Sequence, residues 1–122
     1  MYKKGKGYRI GQTQGVRSRD GEIVNGLMVR INQEHADKVW ILRICKDKTE
    51  ASFFEQYFSI KYGIPTTVFN TIGRKIAMTQ EQVDELYEKI DTHERAAKLM
   101  EENFIFEEYP HHIPNAVIRE TL

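Results

Sequence analysis

The run Asp47-Lys48-Thr49-Glu50 constrains this chain more than any other. An aspartate followed three residues later by a glutamate forms a capping box, in which the side chains satisfy the backbone N–H groups that open a helix. Gly63 and then Pro65 close the same segment, because glycine takes the left-handed conformation that ends helices and proline cannot continue one. The sequence therefore predicts a helix over 48–62. Around it Phe53, Ile60, Tyr57, Phe54, Phe58 and Ala51 occupy roughly half of the circumference, with Glu55 at the edge of that face beside Tyr62. A face of that width is expected to pack on a core, leaving Glu55 at the mouth of a cleft.

Weaker signals arrange the rest around this helix. Thr79-Gln80-Glu81-Gln82 is a second capping box and opens a helix to about 90, and Asp91 with Glu94 caps a shorter one over 92–103. Upstream, Gly5-Lys6-Gly7 is a turn, after which Tyr8, Ile10 and Gln12 alternate with Arg9, Gly11 and Thr13 as the two faces of a strand would. That strand is expected to expose Tyr8 and Arg9. Residues 14–22 read as a polar loop turning at Asp20-Gly21. Over 24–36, Leu27, Met28, Ile31 and His35 fall within an arc of about 100°, the stripe of an amphipathic helix, with Arg30 and Glu34 just outside it. His35 is expected to pack there. The run 39–45 reads as a mostly buried strand that includes Cys45, 66–78 as irregular, and 104–109 as a last strand or extended arm. The expected fold is α+β, a small central antiparallel sheet of about three strands flanked by helices, with an extra C-terminal helical pair. Residues 1–78 form its core, 79–109 extend the same domain, and the proline-containing 110–122 is a tail or linker.

Composition narrows the function. At 122 residues the chain suits one domain with a core that needs no disulfide. A single cysteine, Cys45, permits no intramolecular bridge, and nothing in the sequence suggests export, so the cytoplasm is the expected compartment. No apolar run approaches the length of a membrane span. A formal net charge of zero argues against a general polyanion binder, yet the charges are segregated. Lys3, Lys4, Lys6, Arg9, Arg17 and Arg19 share residues 1–19 with no acid, while 81–108 carry ten acids against Lys89, Arg95 and Lys98. The first end suits phosphates and the second does not, although solvated faces are the plainer reading of both. The chain has no phosphate loop, HExxH, paired CxxC or EF-hand loop. His111-His112, without a nearby acid or cysteine, makes a poor metal site.

One ordered set of residues remains. Tyr8-Arg9-Ile10-Gly11 resembles the second signature strand of the GIY-YIG nucleases, Val29-Arg30-Ile31 with His35 resembles their arginine helix, and Glu50-Ala51-Ser52-Phe53-Phe54-Glu55 resembles their metal-binding helix. Pro65 and Asn70 resemble the family's closing pair, so the likeness spans 7–70. It implies a GIY-YIG-like fold in which Glu55, supported by Asn70, holds Mg²⁺ against the scissile phosphate. By the same likeness Arg30 clamps the phosphate, Tyr8 activates water, and His35 belongs to the catalytic set. Lys3, Lys4, Lys6, Arg9, Arg17, Arg19, Arg74 and Lys75 would then lie along double-stranded DNA. The family's first strand is missing, since only Met1-Tyr2-Lys3-Lys4 precedes the turn, and strict register sets Arg9 where the family has tyrosine. The open sheet edge this leaves would be covered by the rest of a larger parent protein or by a second copy in a homodimer.

The segments Lys61-Tyr62-Gly63-Ile64-Pro65-Thr66 and Tyr109-Pro110-His111-His112-Ile113-Pro114 also resemble parts of inteins that interrupt bacterial or archaeal DNA helicases, near their homing endonuclease region. The expectation is a DNA-binding GIY-YIG-like domain, a segment of such an intein or homing endonuclease, with degenerate catalysis. The alternatives are an active Mg²⁺-dependent endonuclease and a protein interaction module that docks a partner on its acidic C-terminal helices.

Overall fold

Short paired strands lead into helices in this α+β chain, a computed structural model that describes residues 1–13, 16–19 and 22–110, with the backbone alone for 16–19 and 22–29. The order is β1 (Tyr2–Lys3), β2 (Gly7–Tyr8), β3 (Val16–Arg19), β4 (Glu22–Asn25), α1 (Gly26–Glu34), α2 (Lys48–Tyr62), α3 (Gln80–Lys89) and α4 (His93–Glu102). β1 pairs antiparallel with β2, and β3 with β4, as two separate two-stranded sheets. The single sheet of about three strands expected from the sequence is not formed among the described residues.

The reason lies in the length of β1. It ends at Lys3, where the chain turns through Gly5 at φ 85°, so the neighbouring segment gains one rung only, Tyr2 with Lys38. Residues 39–45 therefore run without a ladder instead of forming the expected strand, and only Val39 and Trp40 among them are buried. The indole of Trp40 is fixed by donating to the Phe106 carbonyl at 3.1 Å. Residues 9–13 likewise leave the sheet. Arg9 still exchanges backbone bonds with Met1, its amide donating to Met1 O at 3.0 Å, but the Ile10 amide donates to Pro65 O at 2.9 Å, which spends its hydrogen bond outside the sheet. Residues 16–19 and Glu22, expected within a loop, and 24–25, expected to open the first helix, belong instead to the paired strands β3 and β4, with Arg19 opposite Glu22. The expected Asp20-Gly21 turn lies outside the described residues, as does the tail 111–122.

The helices follow their caps. Asp47 accepts from the Glu50 amide at 2.8 Å, and Gly63, at φ 70°, donates to Ser59 O at 2.8 Å to close α2. Thr79 and Gln82 complete the capping box of α3. Thr92, and not the expected Asp91, caps α4, with no side-chain bond to the helix's first turn; its hydroxyl accepts instead from the buried Tyr8 amide at 2.8 Å. Gly7 stands beside that hydroxyl, at φ 121°, and a Cβ there would lie 2.4 Å from it. The expected strand or arm at 104–109 is instead a series of turns, opened by Phe104 at φ 56°.

Two apolar clusters result. Tyr8, Ile10, Trp40, Phe58, Tyr62, Ile64, Ala96, Leu99, Met100 and Ile105 form the larger, so α4 is part of the main core. Phe69, Val83 and Tyr87 form the smaller, against Met1, Ile76 and Met78. Between β2, α1 and 66–74 sits a buried ionic group centred on Glu34, whose side chain is 0% exposed. Glu34 receives Arg9 at 3.2 Å, Arg74 at 3.0 Å and the Phe69 amide at 2.9 Å. Arg9 also donates to Thr66 O at 2.7 Å.

Candidate functional site

A cleft of about 860 Å³ opens between residues 8–13, 39–48 and one side of α2. Its floor is apolar, with Ile10, Trp40, Leu42, Phe58, Leu99 and Met100, and its walls carry Arg30, Arg43, Asp47, Lys48 and Glu55. A concave apolar floor with a few convergent polar groups is the usual form of a ligand site. Gln12 binds Ser52 Oγ at 3.1 Å and so ties the 8–13 wall to α2. The Arg43 guanidinium lies 4.0 Å from the centroid of the Phe54 ring, a cation–π contact that holds it at the rim. None of the acids of α3 and α4 lines the cleft.

Tyr8, Arg30 and Glu55 all line it, which brings together three residues the sequence singled out. Their states differ from the expectation. Tyr8 is buried, and its phenol is pushed up to about 12, first by burial and then by Glu107 and Tyr2. Its hydroxyl lies 3.5 Å from Glu107 Oε1, so it is a poor candidate to take a proton from water at neutral pH. Glu55 is half-buried. Cys45 also lines the cleft, and burial and Glu50 push its thiol up, away from a nucleophilic thiolate.

The other expected site residues lie elsewhere. Arg9 is buried against Glu34 and cannot reach a phosphate in this state. Arg74 is also held by Glu34, and Lys6 by Asp84, whose carboxyl that lysine draws below its ordinary range. His35 is exposed, not packed on the apolar face. Its φ of 54° ends α1, with its own amide donating to Asn32 O at 3.3 Å and that of Ala36 to Ile31 O at 3.2 Å, the double bond of a Schellman cap. Asn70 donates to Gln33 O at 3.1 Å and accepts from the Ile72 amide at 3.1 Å, away from the cleft. Of the Glu55 and Asn70 pair expected at Mg²⁺, Glu55 lines the cleft and Asn70 does not. Lys4 and Lys75 are exposed and Lys3 is half-buried, all outside the cleft walls. Arg17 and Arg19 fall on β3, two residues apart, where the backbone alone is described.

Sequence reasoning passed over Arg43, Lys48 and Glu34. Arg43 sat inside a run read as a buried strand, and Lys48 was read only as the first residue of a helix. The available signal was the density of cations over 38–48, where Lys38, Arg43, Lys46 and Lys48 meet one acid, Asp47. No helix among the described residues is long and apolar enough to cross a membrane. No protein-family model, curated protein or solved structure matches the chain.

Proposed function

We propose that this chain is a DNA-binding domain that takes the phosphate backbone along the cleft beside α2 and binds without cutting. The observation that carries the reading is the makeup of that cleft: Arg30, Arg43 and Lys48 outnumber Asp47 and Glu55 in its walls, and the ten acids of residues 81–108 are all outside it. Lysine and arginine at a groove supply the sequence-independent part of nucleic-acid affinity by displacing counterions. Net neutrality of the chain is no obstacle once the charges are segregated in space.

Binding is favoured over cleavage because the Tyr8 phenol is held neutral beside Glu107 and Asn70 is spent on the 70–72 turn. The order of Tyr8, Arg30 and Glu55 around one cleft supports a GIY-YIG-like core in its finer form, and it is also what favours the second reading, an endonuclease. The assignment to a larger parent, an intein or homing endonuclease within a DNA helicase, rests on the likeness of the segments 61–66 and 109–114 and on no feature of the cleft.

Mobility shifts on a labelled duplex over a salt series test the reading. Binding that weakens with salt, with the slope reduced by about 2 in the double variant Arg43→Gln/Lys48→Gln, is expected, since each phosphate contact contributes about 0.9. A slope unchanged in that variant removes the cleft from the interface. Plasmid nicking with Mg²⁺ that disappears in Glu55→Ala would replace binding alone with the endonuclease.

A further inference from the structure

Helix α2 leaves part of its apolar face in solvent. Phe53, Tyr57 and Ile60 lie on one side at i, i+4 and i+7 and are 62%, 42% and 77% exposed. The rings of Phe53 and Tyr57 are ordered by one another, by cations and by the edge of the main core, where Tyr57 meets the buried Phe58 with centroids 5.3 Å apart. Arg43 sits over Phe54, Phe54 meets Phe53 edge to face with centroids 5.1 Å apart, and Phe53 lies near parallel to Tyr57, 13° between planes and 6.3 Å between centroids. The Lys61 ammonium then stands 5.5 Å from the Tyr57 centroid and 3.3 Å from its hydroxyl. The result is one continuous track, cation, ring, ring, ring, cation, that starts at the cleft rim and runs out along α2.

Cations predominate along the track, with Glu50 and Glu55 half-buried. Of the exposed residues between 43 and 61, Arg43, Lys46, Lys48 and Lys61 are cations and Asp47 is the one acid. Lys61 approaches Glu102 of α4 at 3.9 Å, an exposed pair that contributes little and is easily exchanged.

We propose that this track is a stacking platform for the unpaired bases of a nucleic-acid strand, with Arg43, Lys46, Lys48 and Lys61 on its phosphates. The inference rests on nucleic acid being the partner of this chain and adds that the strand is single along α2. Sequence-tolerant recognition of single strands combines aromatic faces for the bases with a cationic border for the backbone, and both are present here on adjacent turns. A protein partner fits less well, because the cores of protein interfaces are depleted in lysine. A second copy seated by two-fold symmetry would bring the same four cations against four more.

Fluorescence anisotropy with a labelled oligothymidylate and a labelled duplex tests this. Wild type is expected to bind both. The variant Phe53→Leu/Tyr57→Leu keeps apolar area but removes the ring faces, and should weaken the oligothymidylate by about tenfold or more, with duplex binding unchanged. Tyr57→Phe keeps the ring and should bind the oligothymidylate as wild type does. Both side chains are exposed, and an unchanged far-ultraviolet spectrum confirms that the variants fold. Oligothymidylate binding that survives the leucine pair overturns the platform. Duplex binding without oligothymidylate binding by wild type overturns it too, and leaves the cleft reading standing. Binding to neither overturns both. Dimerisation of wild type that is retained by the leucine pair and lost in Ile60→Asp would assign the face to a second copy and overturn the platform.

Discussion

At one side of the molecule Glu34 is withdrawn from water and receives Arg9, Arg74 and the Phe69 amide. On α2, Phe53, Tyr57 and Ile60 remain in water although nothing in their chemistry asks for it. The usual relation of residue type to burial is inverted in both places, with opposite consequences. A buried carboxylate is tolerated only when its partners are in place, so the Glu34 group welds β2, α1 and 66–74 into one arrangement and makes each partner hard to remove. Exposed rings forgo the roughly 1.5–3 kcal/mol that burial of each would contribute. Large apolar side chains left together on a surface mark a place where something else binds. The first region holds the fold, and the second is free to hold a ligand.

The comparison breaks most easily at Glu34. Glu34→Ala leaves the buried Arg9, the half-buried Arg74 and the Phe69 amide without this acceptor, and should cost about 3–5 kcal/mol in urea unfolding. A cost below about 1 kcal/mol would mean that the ionic group is not what joins the three segments. On α2 the contrast can be sharpened within one residue type. Phe58, 8% exposed in the main core, should cost about 3–5 kcal/mol when replaced by alanine.

A smaller effect is expected at alkaline pH. Tyr8 ionises near 10 in the unfolded chain and is raised to about 12 in the fold. The fold therefore favours the neutral phenol, and that contribution is complete below pH 10 and lost as pH rises through about 12. Stability of the wild type should fall across that window, and less so in Tyr8→Phe. Equal losses in the two proteins would place Tyr8 in a more hydrated setting than this one. Phe53→Ala should have the smallest effect, within about 0.5 kcal/mol, since the ring is surrounded mainly by solvent. A loss comparable to that of Phe58→Ala would show that Phe53 is core and would remove the platform.

The helices were legible in the sequence because their ends are local. Asp47 and Gly63 begin and end α2 through contacts within five residues, and the Thr79 box does the same for α3. The sheet was not legible, because strand pairing depends on the length of a distant partner, and β1 is too short to give 39–45 more than the Tyr2–Lys38 rung. The helical stripe of α2 indicated which residues are apolar but not which of them find a partner. Phe58 and Tyr62 are buried, and Phe53, Tyr57 and Ile60 stay exposed. In the site, Tyr8, Arg30 and Glu55 line one cleft. The basic residues near the N-terminus misled for a related reason, because a sequence shows that Arg9 and Lys6 are cations but not that Glu34 and Asp84 already hold them.

Anisotropy titrations of the wild-type chain into a labelled duplex and a labelled oligothymidylate, repeated as salt is raised fourfold, test the account most directly. With Arg30, Arg43 and Lys48 on duplex phosphates at about 0.9 each, and Arg43, Lys46, Lys48 and Lys61 on those of the single strand at about 0.7 each, both ligands should bind at low salt and weaken by about 40- to 50-fold across the series. Failure to bind either ligand at low salt, or binding that salt does not weaken, would contradict it.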